Sequence, residues 1–382
     1  MLDVLLTASV SFIISFLAIP VVLQIAEQKK LYDIPDERKV HTRPVASLGG
    51  VGIFGGFILA SLLSIQISPQ FYEFQYFFAA AFVIFFLGLK DDLIILSASK
   101  KFIGQVIAAS IIIHLGQLRI DSMHGLFGFE QVPESFGLAL SYLTIIVVIN
   151  SFNLIDGIDG LASSLGILTM LVFGTYFFAI NLQAYALLSF SMAGSLVAFL
   201  IFNHHPAKIF MGDSGSLMIG LVNAILVIKF INVAGSNSAA VAIPLESAVA
   251  IGFSILIVPL LDTLRVFGIR IFNGRSPFTP DRNHVHHLLL DRGLGHAAVT
   301  LVCVSINVFF IVLAYLCRSL GPTNLLLMML ALSFTGLGLL YYNRKPRRTM
   351  VIAKSVNGTT ELKTTSKIVT LTQEATSLAD KN

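Results

Sequence analysis

The 382-residue chain contains no tryptophan, two cysteines and only 12% charged residues. Each shortage excludes something. Soluble globular domains carry about 25% Asp, Glu, Lys and Arg, so half that share cannot clothe a water-facing exterior. Cys303 and Cys317 share one apolar run with neither zinc-ligand spacing nor a disulfide framework, and read as structural filler. Without Trp, an interfacial aromatic belt has to rest on nine Tyr and 31 Phe. A Walker-type G-x-x-x-x-G-K-[ST] run is missing, so an ATP-hydrolysing P-loop is unsupported, and without His-Glu-x-x-His an intramembrane metalloprotease is too. Hydrocarbon, in contrast, is plentiful: 55% of residues are hydrophobic and the mean hydropathy is +0.85. Soluble, disordered and fibrous classes fall away, leaving an all-α polytopic integral membrane protein.

A bilayer core takes about 20 mostly apolar residues per helix. On that scale eleven transmembrane helices are expected, at 2–24, 48–67, 72–90, 101–117, 136–152, 161–181, 184–203, 215–232, 241–269, 298–317 and 322–342. The first reads as a retained span rather than a cleaved signal, because its start holds Asp3 and no Lys or Arg. Running it inward puts 22 of the 25 Lys and Arg on the cytoplasmic side, leaving Arg119, Lys229 and Arg318 outside. The positive-inside rule then sets the N-terminus out and the C-terminus in. Residues 1–342 form a membrane-embedded domain and 343–382 a basic, polar cytoplasmic tail. The tail opens on Arg344-Lys345-Pro346-Arg347-Arg348, a cluster suited to anionic lipid, and continues as a polar stretch that is either disordered or a small hairpin. A net charge of +4 points to the bilayer, not to nucleic acid.

Acids are costly in hydrocarbon, so their positions carry the information. Asp91-Asp92 close the third span. Asn150, Asn153, Asp156 and Asp159 recur every third residue in Asn-Ser-Phe-Asn-Leu-Ile-Asp-Gly-Ile-Asp-Gly, with Gly157 and Gly160 loosening the turn. Met211-Gly212-Asp213-Ser214-Gly215-Ser216 opens the eighth span, where free helix amides favour an anion or an Asp-held metal and where ordinary capping is equally at home. Asp281-Arg282-Asn283-His284-Val285-His286-His287 follows the ninth. Its histidines lack the i, i+4 spacing of a helical zinc pair, and beside Arg270, Arg275 and Arg292 they suit phosphate oxygens. All of these fall on the cytoplasmic side of the expected topology, where a single interfacial site can form. Gly50-Val51-Gly52-Ile53-Phe54-Gly55 fits G-x-G-x-x-G but begins a membrane span; Gly52 and Gly56 read instead as a close-packing G-x-x-x-G.

Taken in order, Arg43-Pro44…Gly49-Gly50, Asp91-Asp92, Asn150…Asp159-Gly160-Leu161, Phe210-Met211-Gly212-Asp213…Gly215-Ser216 and Ser276-Pro277-Phe278…Asp281-Arg282…His284-Val285-His286-His287 resemble the polyprenyl-phosphate N-acetylhexosamine-1-phosphate transferase superfamily. The last motif is most similar to that of the undecaprenyl-phosphate α-N-acetylglucosaminyl-1-phosphate transferases. One departure is Ile95, which stands where some members add a third acid to the pair.

The resemblance implies an enzyme of the bacterial inner membrane that moves GlcNAc-1-phosphate from a UDP-N-acetylhexosamine to undecaprenyl phosphate. UMP is released, in a first membrane step of cell-envelope polysaccharide synthesis. It implies Mg²⁺, with Mn²⁺ as substitute, on Asp213 and Asn153. Asp156, Gly157, Ile158 and Asp159 would border the uridine and Phe210 would stack on its base. Asp91 and Asp92 would act on the lipid phosphate or its metal environment, and His284, His286 and His287, with Arg270 and Asp281, would hold the diphosphate and sugar. Arg43, Lys101, Asn150 and Arg282 join them as substrate-binding candidates. Direct displacement is the expected chemistry and a covalent aspartyl-phosphate its alternative. The rival class is a cation-coupled transporter, for which Asp262, with Arg265 three residues on, is the nearest feature. A homodimer is left open.

Overall fold

The structure is a computed structural model that describes residues 1–33, 45–68, 71–235, 245–272, 274, 284–342, 349–352 and 362–365. Its described helices are α1 (Leu2–Lys29), α2 (Gly49–Ser64), α3 (Glu73–Leu93), α4 (Ala98–Ser110), α5 (Glu134–Ile155), α6 (Leu161–Ala179) and α7 (Gln183–Asn203). They continue as α8 (Gly212–Ala234), α9 (Ala248–Ile255), α10 (Ile257–Phe272), α11 (Val285–Leu290), α12 (His296–Leu316) and α13 (Pro322–Tyr342). Among the described residues, strands are confined to three short antiparallel hairpins: β1 (Tyr32–Asp33) with β2 (Val45–Ala46), β3 (Ser122–Leu126) with β4 (Phe129–Gln131), and β5 (Thr349–Ile352) with β6 (Leu362–Thr365). The last is the hairpin alternative for the tail. The fold is that of an all-α, multi-pass membrane protein.

Eight described helices are long and apolar enough to cross a membrane, or nine if the bent pair α9–α10 counts as one span. Each of the eleven expected segments nonetheless falls on a helix or on that pair. The ninth segment needs correction: it is not one continuous helix but two, bent by 83° about Leu256. Pro259 supplies the reason. It has no N–H to give the carbonyl of Ile255 four residues back, and its ring crowds that carbonyl. The freed Ile255 carbonyl accepts from Asn307 Nδ2 of α12 at 2.9 Å, and Val258 N–H donates to Asn307 Oδ1 at 3.2 Å. A break in a membrane helix survives when a neighbour satisfies its backbone, and Asn307 does so here.

Burial sorts the helices by position. The α8 segment is enclosed on nearly every side by α2, α3, α5, α6, α7 and α9. On α1, α12 and α13 large apolar side chains such as Leu6, Leu17, Phe309, Leu316 and Phe334 stay exposed, the surface a bilayer covers. Lipid gives helices no hydrophobic reason to associate, so small residues and interhelical hydrogen bonds hold them. The α1–α2–α7 interface follows this rule. Ser15 Oγ donates to the Gly52 carbonyl at 3.0 Å, Ser11 Oγ to the Ser191 carbonyl at 2.6 Å, and the Ser61 and Ser191 hydroxyls pair at 2.6 Å. A Cβ on Gly56 would stand 2.0 Å from Ser15 Oγ and 2.5 Å from the Ser11 carbonyl oxygen. The G-x-x-x-G reading is therefore right.

Gly55, one residue earlier, has nothing within 4 Å of an added Cβ. Gly56→Ala should then lower the unfolding free energy in detergent by about 1–3 kcal/mol, whereas Gly55→Ala should leave it unchanged or slightly raised. Equal melting curves for the two variants would contradict this packing.

Candidate functional site

The chain brings the ends of α3 and α5 against the beginnings of α4, α6 and α8. A buried helix start needs partners for its free amides, and Met211, which precedes α8, has no side chain to cap it. Asp92, from the end of α3, does the capping across the gap. Asp213 N–H donates to Asp92 Oδ1 at 2.6 Å, and Ser214 gives Oδ2 both its N–H (3.1 Å) and its hydroxyl (2.6 Å). Glycines make the approach possible. A Cβ on Gly88 of α3 would lie 2.5 Å from Ser214 Cα, and one on Gly50 of α2 would lie 2.2 Å from Gly215 N. Gly212 itself adopts φ +72°, a conformation side chains resist, with Ser47 O and the Asp92 carboxylate closing off the space for a Cβ. The entry to α2 is laced to the same segment: Phe210 N–H donates to the Ala46 carbonyl, and Gly49 and Gly50 N–H to the carbonyls of Phe210 and Met211.

Asp213, thus fixed, faces three groups. Lys101 of α4 sets its ammonium 2.6 Å from Asp213 Oδ2 and 2.6 Å from Asp91 Oδ2. Asn153 of α5 donates through Nδ2 to Asp213 Oδ1 at 2.9 Å and to Ser216 Oγ at 3.0 Å. Asp91 Oδ1 accepts the N–H of Leu96 at 2.6 Å. Oxygens of this kind suit a hard divalent cation. The structure differs from expectation in one respect: Asn153 presents its amide nitrogen to Asp213, so an oxygen-ligating Asn153 needs its amide turned over.

Asp156 follows the last turn of α5. Burial pushes its carboxyl up to about 8, with the charges of Asp213, Asp92 and Asp159 adding to the rise. Those four acids therefore lie within electrostatic reach of one another. Asp159 behaves oppositely. Burial raises it, but His296 and His205 outweigh that and hold it down at about 2. Its Oδ2 is 2.6 Å from His205 Nδ1 and 3.4 Å from His296 Nδ1, and it accepts the Ala207 N–H at 3.2 Å.

The other expected residues are placed unevenly. Phe210 is half-buried and Gly157 exposed, but Ile158 is packed into the hydrophobic core and has almost no surface to offer a uridine. Asn150 pairs with Gln105 of α4 through hydrogen bonds of 2.8 and 3.4 Å, which serves helix packing. Arg270 is buried on α10. Arg43, Asp281 and Arg282 lie outside the described residues, as do the side chains of His286 and His287. His284 is buried, with Nδ1 3.0 Å from Asp262 Oδ2, and Val285 N–H donates to Asp262 Oδ1 at 2.8 Å. Asp262, read from the sequence as a partner for Arg265, lies 3.8 Å from that guanidinium and engages the start of α11 more closely. Sequence reasoning missed this role for Asp262, although a lone acid in an apolar helix was the available signal. It also missed His205 and His296.

Comparison with known proteins places the chain as a whole. The family model described as glycosyl transferase family 4 matches residues 74–231. A probable undecaprenyl-phosphate N-acetylglucosaminyl 1-phosphate transferase of Bacillus subtilis (strain 168) is 33% identical, over 81% of this chain and 85% of the relative. The decaprenyl-phosphate N-acetylglucosaminephosphotransferase of Mycobacterium leprae (strain TN) is 32% identical over 76% of this chain and 77% of its own. The undecaprenyl-phosphate alpha-N-acetylglucosaminyl 1-phosphate transferase of Escherichia coli (strain K12) is 28% identical over 76% and 78%. Likeness sustained along most of both chains, with the motif acids gathered at one end of the bundle, establishes that the chain belongs to glycosyl transferase family 4, alongside the polyprenyl-phosphate N-acetylglucosamine-1-phosphate transferases.

Proposed function

We propose that the protein transfers GlcNAc-1-phosphate from UDP-GlcNAc to undecaprenyl phosphate with release of UMP. The reaction depends on Mg²⁺ at Asp213, on the cytoplasmic face of a bacterial inner membrane, and opens a route to a cell-envelope polysaccharide. The observation that carries this reading is the Asp213 carboxylate, held at a helix start among Lys101, Asp91 and Asn153. The relatives' names supply the substrates.

An oxygen of the lipid phosphate attacks the β-phosphorus of the donor; the bond between that phosphorus and the oxygen bridging to the α-phosphate breaks, and UMP departs. The obstacle is charge, because both reactants are anions. With its amide turned over, Asn153 would join Asp91 and Asp213 in an oxygen donor set suited to a hard divalent ion, and Mg²⁺ held there would supply charge to offset that of the phosphates. Lys101 contributes a further fixed cation and keeps the two acids side by side. Phe210, half-buried beside the site, offers a face for the base.

Direct displacement is favoured over a covalent aspartyl-phosphate. Asp92 already spends both oxygens on the start of α8, and Asp91 is held by Leu96 and Lys101. A phosphate monoester with a second pKa of about 6 needs no strong base. Asp156, whose ordinary state near neutral pH is protonated, is poorly suited to supply one.

Purified enzyme given UDP-GlcNAc and undecaprenyl phosphate should release UMP only with Mg²⁺ or Mn²⁺. Asp213→Asn should lower kcat by about 10²–10³-fold, the usual cost of removing one preorganised electrostatic group. Turnover persisting in excess chelator would overturn the metal assignment, and retention of configuration at the transferred phosphorus would overturn direct displacement. Asp92→Ala should cost about 1–2 kcal/mol of stability through the lost cap besides lowering turnover; a variant with wild-type melting and impaired turnover would make Asp92 a reacting group instead. Asp156 gives a pH signature. Its folded pKa of about 8 exceeds the unfolded value of about 3.9, so charging it destabilises the fold increasingly as pH rises between those values. In chelator, Asp156→Asn should therefore stabilise the protein more at pH 8 than at pH 5, read as the difference in melting midpoint.

A further inference from the structure

Asp159, His205 and His296 are drawn from three separate parts of the chain: the turn before α6, the segment between α7 and α8, and the first residue of α12. Each offers one ligand atom, and the three atoms lie within 4.8 Å of one another. Asp159 Oδ2 is the common point, with His205 Nδ1 at 2.6 Å and His296 Nδ1 at 3.4 Å. The imidazole rings stand 4.6 Å apart, centroid to centroid, tilted by 31°. His296 Nδ1 is sealed from solvent, makes no hydrogen bond of good geometry, and faces Asp159 Oδ2 at 3.4 Å. The carboxylate side chain is 9% exposed, but that of His205 is 47% exposed, so one side of the cluster opens outward.

We propose that these three side chains bind a divalent transition-metal ion of the zinc class, at a centre separate from the Asp213 site. The donor set decides the class. Two imidazole nitrogens and one carboxylate oxygen suit Zn²⁺ and its first-row neighbours, whereas Mg²⁺ prefers oxygen alone. Ligand atoms around a tetrahedral zinc, with bonds of about 2.0–2.1 Å, stand a little over 3 Å apart, so the 3.4 Å contact already fits, while His205 must withdraw from Asp159 and the two imidazole nitrogens, within 4.8 Å of each other, must settle at the same spacing. Three protein ligands leave a fourth position, which the exposed side of His205 opens to water or a small anion. Ions of this kind bind an imidazole nitrogen that carries no proton, so the hydrogen bond between His205 Nδ1 and Asp159 would be given up to the ion.

The bound ion would act as a clasp. It would join the turn carrying Asp156 and Asp159 to the segment leading into Phe210 and Asp213, and would anchor both on α12. Thr300 of α12 already donates to the Asp159 carbonyl at 3.2 Å, marking the same junction.

The test uses the full chain, purified in detergent, stripped with chelator and held in excess Mg²⁺ so that the oxygen site is filled. Titrated Co²⁺ should bind at about one equivalent per chain with the strong visible d–d absorption of a four-coordinate site. His205→Gln and His296→Gln should each weaken that binding by more than about 10-fold, and Asp213→Asn should leave it intact. Zn²⁺ should raise the melting midpoint of the wild type but not of His205→Gln, whose half-exposed side chain makes misfolding of the variant a poor explanation for the loss. Wild-type protein that gives no such absorption, or absorption that survives in both histidine variants, would overturn the proposal. Neither readout requires UMP release, so the centre stands or falls independently of the proposed reaction.

Discussion

The start of a helix deep in a membrane protein leaves amides that water cannot reach, and the way α8 solves this organises the rest of the site. Asp92 reaches from α3 to accept two backbone N–H groups and the Ser214 hydroxyl. A charged acceptor makes such bonds shorter and stronger than neutral ones, and the positive end of the α8 dipole favours the same charge. The consequence is positional. Once Asp92 is spent on α8, Asp213 in the first turn is fixed, and Asp91, its neighbour on α3, is left facing Lys101. The bare glycines Gly88 and Gly212 are what this geometry demands of the backbone, because a Cβ there would separate the elements that Asp92 joins, and Gly50 in the same way lets α2 meet the start of α8.

The bend at α9–α10 obeys the same rule with opposite chemistry. There a proline creates the unsatisfied carbonyl and a neutral amide, Asn307, satisfies it. Both solutions place a polar side chain of one helix at a backbone defect of another. Both therefore tie the position of a functional segment to a residue far away in sequence. For α10 the segment is the one bearing Asp262, which holds His284 and the first amide of α11.

How much of this can be read from the chain follows from the range of each interaction. Apolar segments are local, and each of the eleven expected ones overlaps a helix or the bent pair, although eight or nine of the described helices are long and apolar enough to cross a membrane. The clustering of acids was legible too, because a carboxylate near hydrocarbon has few reasons to be there. Partners were not legible. Nothing in Asp91-Asp92 says that one acid caps a helix 121 residues on while the other meets a lysine. The every-third-residue series from Asn150 to Asp159 suggested a shared face, but α5 ends at Ile155, and the series divides between packing against Gln105, the Asp213 site and a pair of histidines. Pro259 lay inside the expected ninth span and was not read as a breaker, and the 83° bend also needed Asn307, which no local pattern reveals.

The electrostatic balance of the site explains why the proposed chemistry needs an added cation. Acids are favoured at helix starts and disfavoured at helix ends, yet Asp91 and Asp92 close α3 and Asp156 follows α5. Against these, and against Asp213 and Asp159, the described surroundings set the start of α8, the ammonium of Lys101 and the imidazoles of His205 and His296. The raised carboxyl of Asp156 owes most to burial, and the charges of Asp213, Asp92 and Asp159 add to it. Two phosphate-bearing substrates brought into that field would meet repulsion from the protein as well as from each other. On the proposed reading, a divalent ion on Asp213 would reverse the sign of the field where the phosphates must meet, and acids that look ill-suited to binding anions would become the means of holding the cation that does.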